Sequence, residues 1–233
     1  MSDYFFPPAP VTALEVCDGE GASLGLFPVR RVYCVGQNYA EHVVEMGGDP
    51  NRSEPFFFQK NPQAVMPSAT EIAYPPGTED LHHEVELVAA LGAGGTDLSL
   101  EAAREAILGY GVGVDMTRRD QQAKAKANGR PWEVGKSFEQ SAPTSPLIRA
   151  EDAPGVDGAD LWLNLNGDPR QSGNTGQMIW KTVEAISYLS RLFTLAPGDL
   201  IFTGTPAGVS SVVPGDRVEC GIDGVGRLAF TIT

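Results

Sequence analysis

Leu81-His82-His83-Glu84-Val85-Glu86-Leu87-Val88 is the stretch around which this chain organises itself. Alternation along a strand sends Glu84 and Glu86 to one face and Val85 and Leu87 to the other. A second apolar run, Tyr110-Gly-Val-Gly-Val, ends in Asp115. Acidic groups on apolar strands repel one another and lose hydration. They are tolerable only if protonated, paired with Lys or Arg, or bound to a metal. Three hard oxygen donors with open positions suit Mg²⁺ or Mn²⁺, which keep waters and take substrate oxygens as further ligands. For an isolated Glu-x-Glu the alternative is a solvated strand face with a surface salt bridge. Asp115 and the residues after it favour the buried cation site.

Outward from this stretch the pattern is strand-heavy. Short apolar runs at 11–16, 32–35, 56–59, 84–91, 110–114, 161–165, 200–203, 217–220 and 227–232 are separated by Gly and Pro turns. Helices are the minority. Ser99 caps one running to Leu108 with Gly109 as its stop, and Thr117-x-x-Asp120 forms a capping box for a polar helix that Gly129 closes. Met178, Ile179, Val183, Ile186, Leu189 and Phe193 recur at helical spacing, so they mark an amphipathic helix covering a sheet and ended by Pro197-Gly198. With no repeat and no linker, residues 1–233 read as one domain, its first 30 residues forming strands or an arm that lead into it.

Composition narrows the function. The 17 basic against 30 acidic residues leave a net charge of -13, which argues against nucleic acid or an anionic membrane as partner. Any anionic substrate must find a locally positive pocket. The three cysteines, Cys17, Cys34 and Cys220, fit neither a disulfide framework nor a zinc spacing and point to a reducing cytoplasm. No secretory leader or membrane span is apparent.

The stretch Gly36-Gln-Asn38-Tyr-Ala-Glu41-His42-Val-Val-Glu45-Met-Gly47-Gly48 carries a capping-box start at Asn38 and Glu41 and a glycine stop. A helix of about two turns is only marginally stable alone, which suggests a lid. His42 and Glu45 are three apart and share a face, so the carboxylate can hold the imidazole in one tautomer. Such a dyad can take a proton from water. The alternative is a surface His beside a surface Glu.

Other motifs fail. Gly129-Arg-Pro-Trp-Glu-Val-Gly135-Lys136-Ser137 has five residues between its glycines where a phosphate-binding loop needs four. Gly135-Lys-Ser137-Phe-Glu139 has Glu where a nucleophile elbow needs Gly. His82 and His83 point to opposite strand faces, so at most one could meet a metal, and a core or supporting His is the simpler reading.

Taken together, the motifs resemble the fumarylacetoacetate hydrolase family. The similarity runs from Tyr33 to the carboxyl end: Val-Gly-Gln-Asn-Tyr-Ala-Glu-His at 35–42, Phe-Gln-Lys60, His-His-Glu-Val-Glu at 82–86, Asp115-Met-Thr-Arg-Arg-Asp120, Gly135-Lys136-Ser-Phe, and Phe202-Thr-Gly-Thr-Pro-Ala-Gly208. Arg130-Pro-Trp132-Glu and Met178-Ile-Trp180 are most similar to the bacterial fumarylpyruvate hydrolases within it.

The resemblance implies an α+β, β-rich fold, a mixed roll or sandwich of several packed sheets with a few short helices, assembled as a homodimer. It implies that Glu84, Glu86 and Asp115 bind Mg²⁺ or Mn²⁺ and that His42 with Glu45 activates water. Lys136 and Gln122 would meet developing negative charge. Lys60 and Arg119 would help hold a small keto-acid substrate, with Thr203, Gly204 and Thr205 contacting its pyruvyl carboxylate. Arg118 stands where relatives have a small residue, and either serves a distal carboxylate or faces solvent. Ser210 replaces a common Gly. The implied reaction is hydrolysis of the carbon–carbon bond of an acylpyruvate, fumarylpyruvate giving fumarate and pyruvate in gentisate breakdown. Oxaloacetate decarboxylation, or a related isomerisation, is the alternative, and a structural cation site in a binding protein is the remaining one.

Overall fold

The computed structural model describes residues 4–48 and 53–233. In its first half the strands are β1 (Ala13–Cys17), β2 (Ser23–Pro28), β3 (Arg31–Gly36), β4 (Phe56–Lys60), β5 (Val65–Pro67), β6 (Glu71–Ile72), β7 (Leu81–His82), β8 (Val85–Leu91) and β9 (Ile107–Val114). The second half adds β10 (Thr117–Arg118), β11 (Ala142–Thr144), β12 (Leu147–Arg149), β13 (Asp160–Leu165), β14 (Asp168–Asn174), β15 (Asp199–Phe202), β16 (Ser211–Val212), β17 (Arg217–Ile222) and β18 (Gly226–Ile232). The α-helices are short: α1 (Ala40–Glu45), α2 (Leu100–Glu105), α3 (Arg119–Ala127), α4 (Glu133–Lys136) and α5 (Thr182–Leu192).

Ten strands form one curled sheet along the path β2-β1-β12-β9-β8-β15-β3-β4, with β11 and β5 added beside β9. A five-stranded sheet, β14-β13-β17-β18-β6, packs through β13, β17 and β18 against β8 and β9, and β10-β7-β16 make a small third sheet. This is the strand-rich α+β architecture expected from the sequence.

Two apolar layers flank the large sheet. Val85, Leu87, Ala89 and Leu91 of β8 join Val112 and Val114 of β9 and Leu161, Val218 and Phe230 of the five-stranded sheet in one layer. Val88 and Ala90 turn the other way, to Leu14, Val32, Cys34 and Phe202. Glu84 and Glu86 have the parity of Val88, so they share its face, as alternation requires. Pairing of Glu86 with Gly113 and a 2.8 Å bond from Asp115 N to Glu84 O then bring Asp115 alongside. Gly113 is dictated by close approach, since a Cβ there would lie 2.6 Å from the Phe202 ring and from Val88.

Four helix boundaries differ from expectation. The Ser99 hydroxyl does cap α2, accepting from Ala102 N at 3.2 Å, but the helix ends at Glu105 because Ile107 and Leu108 already belong to β9. Gly109 is no stop. It lies in the strand, where a Cβ would meet Ile148 O at 2.3 Å. Thr117 does not cap α3; wholly buried, it accepts from Lys136 Nζ at 2.7 Å and donates to Asp115 O. Asn38 likewise leaves α1 uncapped, its amide donating to Trp180 O and Thr203 O and accepting from Trp180 N. Those bonds hold residues 178–180 in an extended path, so α5 starts at Thr182 rather than Met178; Val183, Ile186 and Leu189 still face the core.

Among the described residues Cys17, Cys34 and Cys220 are free thiols, and no helix is long and apolar enough to cross a membrane.

Candidate active site

The carboxyl ends of β3, β9 and β15 and the start of β8 meet at one edge of the large sheet, because β15 runs parallel to β3 and antiparallel to β8. Glu84, Glu86 and Asp115 converge there, each nearly or wholly buried, with ligand atoms all within 4.8 Å of one another. Lys136 Nζ lies 2.7 Å from Glu84 Oε2 and 2.6 Å from Asp115 Oδ2. Arg119 pairs with the other oxygen of Glu84. Lys60 Nζ stands 2.8 Å from Asp115 Oδ1, an ion pair that leaves this buried oxygen without a hydrogen bond. Among the described residues Glu86 touches no cation, and it accepts from the Gly204 amide at 2.7 Å.

The electrostatics follow that division. Burial alone would raise Glu84, but the charges of Lys136 and Arg119 outweigh it and hold its carboxyl below the usual range. Burial, then the charges of Asp115 and Glu84, push Glu86 well above the usual range. Burial would lower Lys136, yet Asp115 and Glu84 reverse this and raise it. A carboxylate kept dry between two others, together with an oxygen lacking a hydrogen bond, fits a divalent cation. The all-oxygen donor set suits Mg²⁺ or Mn²⁺ rather than a thiophilic metal.

Above the carboxylates lies α1. His42 is buried and lines the cleft, with Nδ1 2.9 Å from Glu45 Oε2. The other Glu45 oxygen accepts from the Gly208 amide at 3.0 Å, which ties the six-residue helix to the loop after β15. With Nδ1 engaged, Nε2 is the nitrogen left for the cleft. Gln37, just before the helix, has φ 57, a left-handed conformation uncommon outside glycine, and also lines the cleft.

One wall comes from α3. Arg119 and Gln122 are buried, and Arg119 Nη1 donates to Gln122 Oε1 at 2.6 Å. That bond fixes the amide, and Nε2 has no hydrogen-bond partner among the described residues. Lys126 continues the wall, and Phe58 and Trp132 line the same cleft. Sequence reasoning passed over Lys126, although 119, 122 and 126 stand at i, i+3 and i+7, the spacing of one helix face.

Other expected residues lie elsewhere. Lys60 sits beneath the floor, hydrogen-bonded to Met116 O, Lys136 O and Ser141 Oγ, and does not line the cleft. Arg118 neither enters the cleft nor faces open solvent: its guanidinium lies 4.3 Å from the Phe138 ring centroid and donates to Val134 O. Thr203 is a buried anchor donating to Leu87 O, and its neighbours Gly204 and Thr205 reach the cleft. The Thr205 hydroxyl is itself tied to Val85 O at 2.8 Å. Neither adjacent histidine is among the clustered acids. His82 bonds to Asp80, whereas His83 is fully buried between Gln171 and Ser210, which gives Ser210 its part.

Comparison with known proteins supplies the wider context. Residues 31–233 match the profile of the fumarylacetoacetate (FAA) hydrolase C-terminal family. The mitochondrial oxaloacetate tautomerase of Rattus norvegicus is 42% identical over 203 residues, 87% of this chain and 91% of that protein. A fumarylpyruvate hydrolase of a Ralstonia species is 41% identical over 184 residues, 79% of this chain and 95% of that protein. The crystal structure of fumarylpyruvate hydrolase from Pseudomonas aeruginosa, in complex with Mn²⁺ and pyruvate, superposes with a TM-score of 0.94 at 47% identity, covering 99% of each chain. The carboxylate cluster and helix α1 above it therefore belong to a member of the fumarylacetoacetate hydrolase family.

Proposed function

We propose that this chain is a divalent-cation-dependent hydrolase of acylpyruvates, with fumarylpyruvate as substrate and fumarate and pyruvate as products. The observation that carries this reading is buried His42, held by the partly exposed Glu45 over three convergent carboxylates, since a base fixed in one tautomer above a cation site can take a proton from a hydrolytic water. Glu84, Glu86 and Asp115 hold Mg²⁺ or Mn²⁺, a choice supported by the Mn²⁺ in the Pseudomonas aeruginosa relative. When bound, the cation supplies Lewis-acid polarisation at the 2-oxo-acid end of the substrate.

His42 takes a proton from water at Nε2, and Glu45 keeps Nδ1–H in place and balances the charge that results. Gln122, its amide oriented by Arg119, offers Nε2 to the oxyanion that forms at the distal ketone when the water oxygen bonds to its carbon. Collapse of that oxyanion breaks the bond to C3, releasing fumarate and pyruvate enolate, and the proton taken up by His42 returns to C3 to give pyruvate. Lys136 acts from behind the carboxylates, because its ammonium is committed to Glu84, Asp115 and Thr117. Gly204 and Thr205 bound the pyruvyl end. The working unit is a homodimer, which light scattering returning the mass of one chain would overturn.

A second reading is favoured by the names of several relatives, oxaloacetate tautomerase and oxaloacetate decarboxylase among them. Such reactions act on a substrate with the same 2-oxo-acid end and require no hydrolytic water. Ultraviolet-monitored turnover of fumarylpyruvate, acetylpyruvate and oxaloacetate, with Mg²⁺ or Mn²⁺ and with chelator, separates the two. Chelator-sensitive release of fumarate and pyruvate above the other rates is expected; preference for oxaloacetate would transfer the assignment.

A further inference from the structure

We infer that the cleft holds a second, outer anion subsite built on Lys126, which selects acylpyruvates bearing a carboxylate at the end remote from the 2-oxo acid. This rests on the acylpyruvate reading and narrows it to dicarboxylic substrates.

Helix α3 runs from the floor of the cleft to its mouth. Arg119 at its start is buried and committed to Glu84 and Gln122. Lys126 lies seven residues on, about 10 Å along the axis at the rise of an α-helix. It lines the cleft, is exposed at its end, and makes no ion pair among the described residues. In a chain of net charge -13, with its other cleft cations engaged by carboxylates, Lys126 is the cleft cation left for an incoming anion. A bond from Arg130 N to Ala125 O closes the helix just beyond it and anchors its backbone.

Trp132 and Phe58 also line the cleft, and Trp132 packs against Phe56 and Phe58 with ring centroids at 4.8 and 6.0 Å and rings inclined at 61° and 47°, giving the cleft an apolar wall. The uncharged middle of a substrate chain can pack on such a wall. Arg118 and Arg130 are not alternatives, because neither lines the cleft. The separation also suits substrate length. Fumarylpyruvate carries carboxylates at both ends of seven carbons, whereas acetylpyruvate has none at its far end.

The test compares binding of 2-oxoheptanedioate and 2-oxoheptanoate, equal in length and both lacking the ketone at which hydrolysis would occur. Isothermal titration calorimetry is run on the Mn²⁺-loaded full chain, wild type, Lys126→Gln and Lys126→Arg. Wild type is expected to prefer the diacid about tenfold, as a partly exposed charged contact provides. Lys126→Gln should abolish the preference, and Lys126→Arg should retain it at low salt. No preference in wild type, or a preference that persists in Lys126→Gln, overturns the subsite. Because neither ligand is cleaved, that failure is distinct from a failure to hydrolyse acylpyruvates, which the turnover panel reports.

Discussion

Lys60 and Asp115 form an ion pair of 2.8 Å with both side chains wholly buried, linking β4 to the residue that follows β9. Lys60 lies under the cleft, whereas Asp115 lines it. Removing one partner of a buried pair leaves the other charge without compensation, at a cost of about 3–5 kcal/mol. Lys60→Met keeps the length of the side chain, so lost packing contributes little. Urea denaturation should show that loss even with chelator present. A change below about 1 kcal/mol, the range of an exposed pair, would contradict a structural role for Lys60.

Glu86 is the carboxylate left without a cationic partner. With its carboxyl raised above the ordinary 4.5, its contribution in cation-free protein is fully present below that value and is lost as pH rises through the folded one. Glu86→Gln removes the loss and still offers an oxygen to the Gly204 amide. The chelated variant is expected to melt higher than chelated wild type at neutral pH. Mn²⁺ at a hundred times its dissociation constant should stabilise wild type by about 2.7 kcal/mol and the variant by much less. Equal stabilisation of both proteins would place the cation elsewhere.

His83 predicts a pH dependence of the fold itself. Burial, only partly offset by its bond to Gln171, lowers its pKa to about 4 from an ordinary 6.5. The unfolded chain therefore binds the proton first as pH falls, and the native state loses roughly 3 kcal/mol between those values. Stability is full above 6.5 and declines toward 4. Denaturation at pH 7.0 and 4.5 should show a smaller difference for His83→Gln than for wild type. Identical differences would assign the slope to other groups.

Much of this was legible before any coordinates. The parity of Glu84 and Glu86 against Val85 and Leu87 placed both acids on one strand face, and the helical spacing of Val183, Ile186 and Leu189 gave the covering helix. Caps were misread for a common reason. Thr117 and Asn38 sit where a cap belongs, but distant partners, Lys136 and the 178–180 segment, claim their side chains, and no local pattern reports that. Strand β14 was missed because Asp168–Asn174 is polar, although Asn166-Gly167 before it, with φ 55 and 85, is a hairpin turn signal. Lys126 escaped notice because the cleft exists only once the fold brings α3, Phe58 and Trp132 around the carboxylates.

The central claim is that His42 activates the hydrolytic water, and fumarate release from fumarylpyruvate by Mn²⁺-loaded wild type and His42→Ala tests it most directly. General-base catalysis contributes about 10²–10⁴-fold, so the variant should release fumarate at least a hundredfold more slowly while binding Mn²⁺ as wild type does. Release within a few-fold of wild type would contradict the claim and leave the carboxylates to some chemistry that needs no base above them.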